Sequence, residues 1–136
     1  MSREIKFRGK RIDNNEWDYG CLINYLPNNN PRIISCEFLG EQNEPDYRET
    51  NNEIHSSSLG QFTGLYDKNG VEIYEGSILK FIEGVHKNET FYVKYKTSFF
   101  QLLPIEDKHL KQYTIRLDDE SNTQVIGNIH DNPELL

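Results

Sequence analysis

The dipeptide Asn69-Gly70 sits between two runs of strand-forming residues, Phe62-Thr63-Gly64-Leu65-Tyr66 and Val71-Glu72-Ile73-Tyr74. Both residues of such a pair take positive φ cheaply, so it reads as a tight turn and the flanking runs as a hairpin. The same grammar recurs along the chain. Ile5 and Phe7 alternate with Lys6 and Arg8, the period of a half-buried strand. After Asp13-Asn14-Asn15, which tolerate turn geometry, Trp17-Asp18-Tyr19-Gly20-Cys21-Leu22-Ile23 resumes the pattern, so residues 3–24 are expected to form an N-terminal hairpin. A third strand is expected over 32–39, with Ile34, Cys36 and Phe38 on one face. Glu75-Gly76 makes a corner; strands over 78–82, 91–96 and 99–103 follow, broken by Gly84 and Thr97-Ser98, and strands over 113–117 and 125–129 close the series. Closely spaced short strands predict a mostly β fold: a small antiparallel barrel with an SH3-like element around residues 76–103.

The remaining stretches carry no such alternation. Pro27-Asn28-Asn29-Asn30-Pro31 is a loop by composition. Residues 40–58 are polar and broken by Pro45, which predicts a variable, mobile loop. One helical turn fits 105–110, and Asp118-Asp119-Glu120 reads as a solvated turn. The end of the chain, 130–136, finishes in Leu135-Leu136, an apolar pair expected to dock on this chain or on a neighbour. A length of 136 residues suits a single domain over 1–136, with 60–129 as its barrel core.

Composition restricts the functional classes. The net charge of −7 is the wrong sign for a surface devoted wholly to nucleic acid, although one basic face is compatible with it. The 35% hydrophobic fraction is lean, which fits a core completed by another subunit. No apolar run approaches the roughly 18 residues a membrane helix needs, and the first residues alternate charge with apolar groups, unlike a secretory signal; a soluble, cytoplasmic protein is expected. Cys21 and Cys36 both lie in strand-like contexts, where reduced buried thiols are expected.

Four blocks in order carry a more specific signal: Arg3-Glu4-Ile5-Lys6-Phe7-Arg8; the run from Gly60-Gln61-Phe62 through Asp67-Lys68-Asn69-Gly70; Glu72-Ile73-Tyr74-Glu75-Gly76; and Val125-Ile126-Gly127-Asn128-Ile129-His130-Asp131-Asn132-Pro133-Glu134-Leu135-Leu136. Together they resemble the YopX family of phage and prophage proteins across nearly the whole chain. The resemblance implies a phage-encoded, oligomeric protein of the bacterial host's cytoplasm. It brings no activity and no catalytic residue. Relatives usually carry Asp where this chain has Ser77, and an aromatic where it has His130. Ser77 is expected to cap a turn, a task Ser and Asp share.

No catalytic, cofactor or metal site is expected. His55, His86, His109 and His130 never pair at metal-ligand spacing, and the two cysteines are far apart. Asp67-x-Asn69-Gly70 opens like a calcium loop but lacks the later ligands and glycine. His55-Ser56-Ser57-Ser58 reads as a flexible polar loop, and no nucleophile elbow or phosphate cradle appears. Glu75, in a motif block, is explained by its corner. Two surfaces deserve consideration. Phe62, Tyr66, Tyr74, Leu135 and Leu136 form a candidate association surface, for self-assembly or docking on a host or phage protein. Lys6, Arg8 and Lys10 on the first strand, with Tyr92, Lys94 and Lys96 on a later one, form a candidate nucleic-acid face, since cations beside aromatics bind single strands. The leading expectation is an association protein; a nucleic-acid-binding small barrel is the alternative, and an enzyme whose site assembles only in three dimensions comes third.

Overall fold

The computed structural model describes residues 4–23, 30–38, 47–96, 99–105, 115–116 and 122–136. The chain divides into two compact units, Ser2–Gln61 and, apart from the first residue, Phe62–Leu136. Strands dominate both, and every pairing is antiparallel.

In the first unit, β1 (Phe7–Lys10) and β2 (Trp17–Ile23) make the expected hairpin, with Phe7 opposite Gly20 and Lys10 opposite Trp17. Asn15 takes φ 59° in the connection, the left-handed geometry that asparagine tolerates. The amides of Arg11 and Asn15 donate to Glu16 and Arg11 carbonyls at 2.9 Å. β3 (Arg32–Phe38) adds to β2, and β4 (Tyr47–Glu53) to β3 through seven consecutive pairs.

β4 corrects the expectation of a loop over 40–58 for residues 47–53, while 40–46 lie outside the described residues. Its sequence, Tyr47-Arg48-Glu49-Thr50-Asn51-Asn52-Glu53, has no apolar alternation because it ends the strand order and rests on backbone pairing and polar neighbours. The Ser35 and Thr50 hydroxyls meet across the pair, and Arg32 Nε donates to Asn51 Oδ1 at 2.6 Å. Beyond β4, Arg11 bridges Ile54, with Ile12 N–H donating to the Glu53 carbonyl at 3.0 Å and His55 N–H to Lys10 at 2.9 Å. A Cβ on Gly9 would stand 2.1 Å from Ile54 Cγ2, so the close approach that buries Ile54 requires glycine. The serine run is also ordered: Ser56–Ser58 is a 3-10 turn, and buried Ser58 Oγ accepts from Lys10 N–H and donates to the His55 carbonyl, both at 2.7 Å.

In the second unit, β5 (Gly60–Tyr66, whose first two residues pair with β1) continues into a hairpin with β6 (Glu72–Tyr74). Then follow β7 (Ser77–Phe81), β8 (Thr90–Lys96), β9 (Phe99–Pro104), β10 (Ile115–Arg116) and β11 (Thr123–Asn128), in the order β10-β9-β8-β7-β11. Ile73, Leu79, Phe91, Val93 and Leu102 are fully buried together, flanked by Leu65, Phe81, Phe100 and Val125. The mostly β, antiparallel architecture is as expected. Among the described residues no pairing joins β10 to β11, and no closed barrel is seen.

The hairpin turn differs in detail from a two-residue Asn-Gly turn. Gly70 has φ +77°, but Asn69 does not share the positive φ. Gly70 N–H donates to the Asp67 carbonyl at 3.1 Å and Asp67 N–H to Val71 at 2.9 Å, which is a longer turn ending in a left-handed glycine. The expected helical turn at 105–110 and acidic turn at 118–120 fall largely or wholly outside the described residues, as does the Cys36 side chain. Cys21 is exposed, not buried, because its face of β2 is turned outward.

Candidate functional site

Asp67 is the most elaborately held side chain in the motif blocks. It is buried, and Oδ1 accepts from the amides of Asn69 and Val71 at 2.8 Å while Oδ2 accepts from Val125 at 2.8 Å. Both oxygens are thereby committed to holding the turn and joining it to β11. Lys68 N–H reinforces the join by donating to Thr123 at 2.9 Å. Ser77 behaves as expected: its buried hydroxyl accepts from Tyr74 N–H at 3.0 Å, capping the Glu75-Gly76 corner. Glu75 sits half-buried at that corner.

The candidate association surface divides. Phe62 and Tyr74 are 1% and 2% exposed with ring centroids 5.4 Å apart, so both are core and neither belongs on a surface. The alternation of β5 and β6 turns them inward. Tyr66 lies edge-on to Phe62 at 5.6 Å yet remains 48% exposed. Leu135 and Leu136 are 36% and 59% exposed, so the tail leaves apolar surface to solvent within this chain. Its attachment is polar. The Asn132 side chain accepts from Asn128 N–H at 3.1 Å and presses against Gly127, while Asn132 N–H donates to the Asn128 carbonyl at 2.9 Å.

Of the candidate nucleic-acid face, Lys6, Arg8 and Lys10 belong to the first unit and Tyr92 and Lys94 to the second. Lys96 has its side chain outside the described residues. Tyr92 and Lys94 share a face of β8, half-buried and exposed respectively. On β1, Arg8 is buried and its guanidinium carbon lies 4.6 Å from the Trp17 ring centroid, with Lys10 Nζ at 5.6 Å from the same ring. Lys6 lies 3.5 Å from Glu4. The register sets Arg8 opposite Tyr19, which is 45% exposed. Trp17 and Tyr19 therefore complete the patch, and reading β1 alone misses them; the signal was the hairpin register itself. Arg11, at the end of β1, forks onto Asp13 at 2.9 and 2.6 Å, and this hydrogen-bonded pairing holds the Asp13 carboxyl below its ordinary range.

A cleft of about 230 Å³ lies beside this turn, lined by Ile12, Asp13, Arg32, Asn51, Asn52 and Glu53. Its polar groups are engaged locally: Asp13 with Arg11, Arg32 with Asn51, Asn52 with Asp18 at 2.9 Å and Glu53 with Asn30 at 3.1 Å. Among the described residues no three His, Cys, Asp or Glu side chains stand close enough to hold a metal ion. His55 meets Asn15 at 3.1 Å and His86 meets Glu89 at 2.9 Å.

The family model described as YopX protein matches residues 6–136, which includes every motif block from Lys6 onward. The chain belongs to the YopX family. This YopX-family chain also resembles a solved structure, the crystal structure of protein EF1440 from Enterococcus faecalis, at 25% identity and a TM-score of 0.61, covering 99% of each chain. No curated protein matches it. Among the described residues of the YopX-family chain, no helix is long and apolar enough to cross a membrane.

Proposed function

We propose that this protein is a phage-encoded accessory protein of the bacterial cytoplasm that works by association, assembling with copies of itself and docking on a phage or host protein, rather than by catalysis. The observation that supports it is the division among residues in and beside the motif blocks. Asp67, Phe62, Ile73, Tyr74 and Ser77 are buried and build the second unit, while Tyr66, Val71 and Leu136 leave 48%, 46% and 59% of themselves to solvent. Apolar side chains left to solvent fit an association role better than a structural one. On this reading the β7–β9 meander is the SH3-like element.

Light scattering on the full chain and on the Tyr66→Ser, Leu136→Ser double variant tests the proposal. The expected result is an oligomer for the first and a smaller species for the second, with unchanged circular dichroism. Two monomers of equal melting temperature would remove self-assembly.

A further inference from the structure

Asn69-Gly70 is the only place in the chain where glycine follows asparagine, and beyond any association role this pair has a chemistry of its own. A glycine nitrogen has no Cβ beside it, so the side-chain carbonyl of the preceding residue can reach it. Both residues are exposed, and a Cβ built on Gly70 would meet nothing within 4 Å. Among the described residues the Asn69 carboxamide makes no hydrogen bond; the Asn69 backbone N–H is held by Asp67 Oδ1 at 2.8 Å. The turn itself opposes reaction. Gly70 N–H donates to the Asp67 carbonyl at 3.1 Å, which keeps the nitrogen occupied while the turn is closed. Asn88-Glu89, in the same unit, is a matched comparison. Asn88 is exposed too, and Glu89 N–H donates to the His86 carbonyl at 2.9 Å, the same spacing along the chain. The difference lies in the following residue, since the glutamate side chain shields a nitrogen that glycine leaves open.

We propose that Asn69 converts spontaneously to isoaspartate in the folded protein, and that the conversion releases the turn from Asp67. When the turn opens, the Gly70 nitrogen gives its proton to base and attacks Asn69 Cγ. The new N–Cγ bond closes a succinimide ring, the Cγ–Nδ2 bond breaks, and Nδ2 takes up a proton and leaves as ammonia. Water then adds to one of the two ring carbonyls. Opening at Cγ gives aspartate, and opening at the main-chain carbonyl gives isoaspartate. The sum is carboxamide plus water to carboxylic acid plus ammonia, with nothing oxidised or reduced. In isoaspartate the main chain runs through Cβ and Cγ, one methylene longer between the amides of Asn69 and Val71. Asp67 Oδ1 accepts from both of those amides at 2.8 Å, a bite that fits the shorter chain. The freed carboxylate also adds like charge close to Asp67.

The folded full-length protein is held at mildly alkaline pH, and the peptides containing residues 69 and 88 are followed by mass spectrometry, with electron-transfer fragmentation separating isoaspartate from aspartate. The expected result is isoaspartate at 69 forming about tenfold faster than at 88, the effect of an unshielded nitrogen. Gly70→Asn, a change to a residue type that tolerates left-handed geometry, should slow conversion at 69 about tenfold. Asp67→Ala, under conditions where its circular dichroism matches the parent's, should speed it about tenfold through loss of two turn hydrogen bonds. The isolated converted form should melt several degrees below the parent. No isoaspartate at 69, equal conversion at 69 and 88, an unchanged rate in Gly70→Asn, or a converted form that melts with the parent would each overturn the proposal. Should Asp67→Ala fail to fold, the comparison of 69 with 88 inside the parent chain still decides. None of these outcomes depends on oligomeric state, so this site and the association role stand or fall separately.

Discussion

Replacing Asp67 tests whether the second unit depends on a buried carboxylate used as a backbone staple. Three amides donate to it at 2.8 Å, and they are not equivalent. Asn69 and Val71 are exposed, so in Asp67→Ala water can reach their freed N–H groups, and each loss should cost about 0.5–1.5 kcal/mol net. Val125 is half-buried against the core cluster, and its stranded N–H should cost about 1–3 kcal/mol. The sum for Asp67→Ala is about 2–6 kcal/mol, a large share of the roughly 5–15 kcal/mol that holds a typical domain folded. Asp67→Asn is more revealing because it preserves shape. Its oxygen can serve either the turn or Val125, and its amide then faces a donor on the other side, so it should cost about 1–3 kcal/mol. Urea unfolding followed by circular dichroism gives both values, and hydrogen exchange at Val125 gives the local one. Both variants within about 0.5 kcal/mol of the parent, the range of ordinary surface changes, would refute the staple.

Gly9→Ala should destabilise by about 1–3 kcal/mol through overpacking against Ile54, and Ile54→Ala should relieve part of that in the double variant, seen as non-additive melting shifts. Ser77→Ala leaves the buried Tyr74 N–H without its hydroxyl and should cost about 1–3 kcal/mol in urea unfolding, whereas Ser77→Asp, which keeps an acceptor, should cost less. The Asp13 carboxyl should titrate below its ordinary value by NMR and return upward in Arg11→Gln. Because its folded pKa is depressed, the pairing's contribution is present above the unfolded-state pKa and fades as pH falls through the folded one.

Legibility in the sequence followed physical pattern. The β1–β2 and β5–β6 hairpins and the β7–β9 meander have apolar residues at alternate positions and turn residues between, so burial on one face left its mark in the order of residues. β4 left none, because a terminal polar strand is stabilised by backbone pairing to β3, and pairing is indifferent to side-chain polarity. The Asn69-Gly70 turn was located correctly but mis-sized, since the decisive acceptor is Asp67, two residues upstream. Arg8 looked like a solvent-facing cation because alternation assigns faces and says nothing of what covers them; its place beside Trp17 is a relation across strands. At the tail, Asn128 and Asn132 form a local turn through their side chains that no hydrophobic pattern announces.

Buried polar groups of the second unit in this YopX-family chain are committed to the backbone. A catalytic carboxylate or hydroxyl must keep a lone pair or proton available to a substrate. Asp67 directs both oxygens at backbone amides, and the Ser77 hydroxyl oxygen accepts from Tyr74 N–H inside a fully buried corner. Thr63 is similar, its hydroxyl donating to the Ile73 carbonyl at 2.7 Å. Each compensates a turn or strand irregularity: the long hairpin turn, the Gly76 corner at φ +85°, and the register shift between Phe62 and Tyr66. Residue identity at these positions is thus fixed by the need to satisfy backbone groups withdrawn from water. Other side chains are left outside, among them Tyr19, Tyr66 and Leu136. Substitutions there should leave the melting temperature nearly unchanged while altering whatever the protein holds, the reverse of what Asp67 and Ser77 should show.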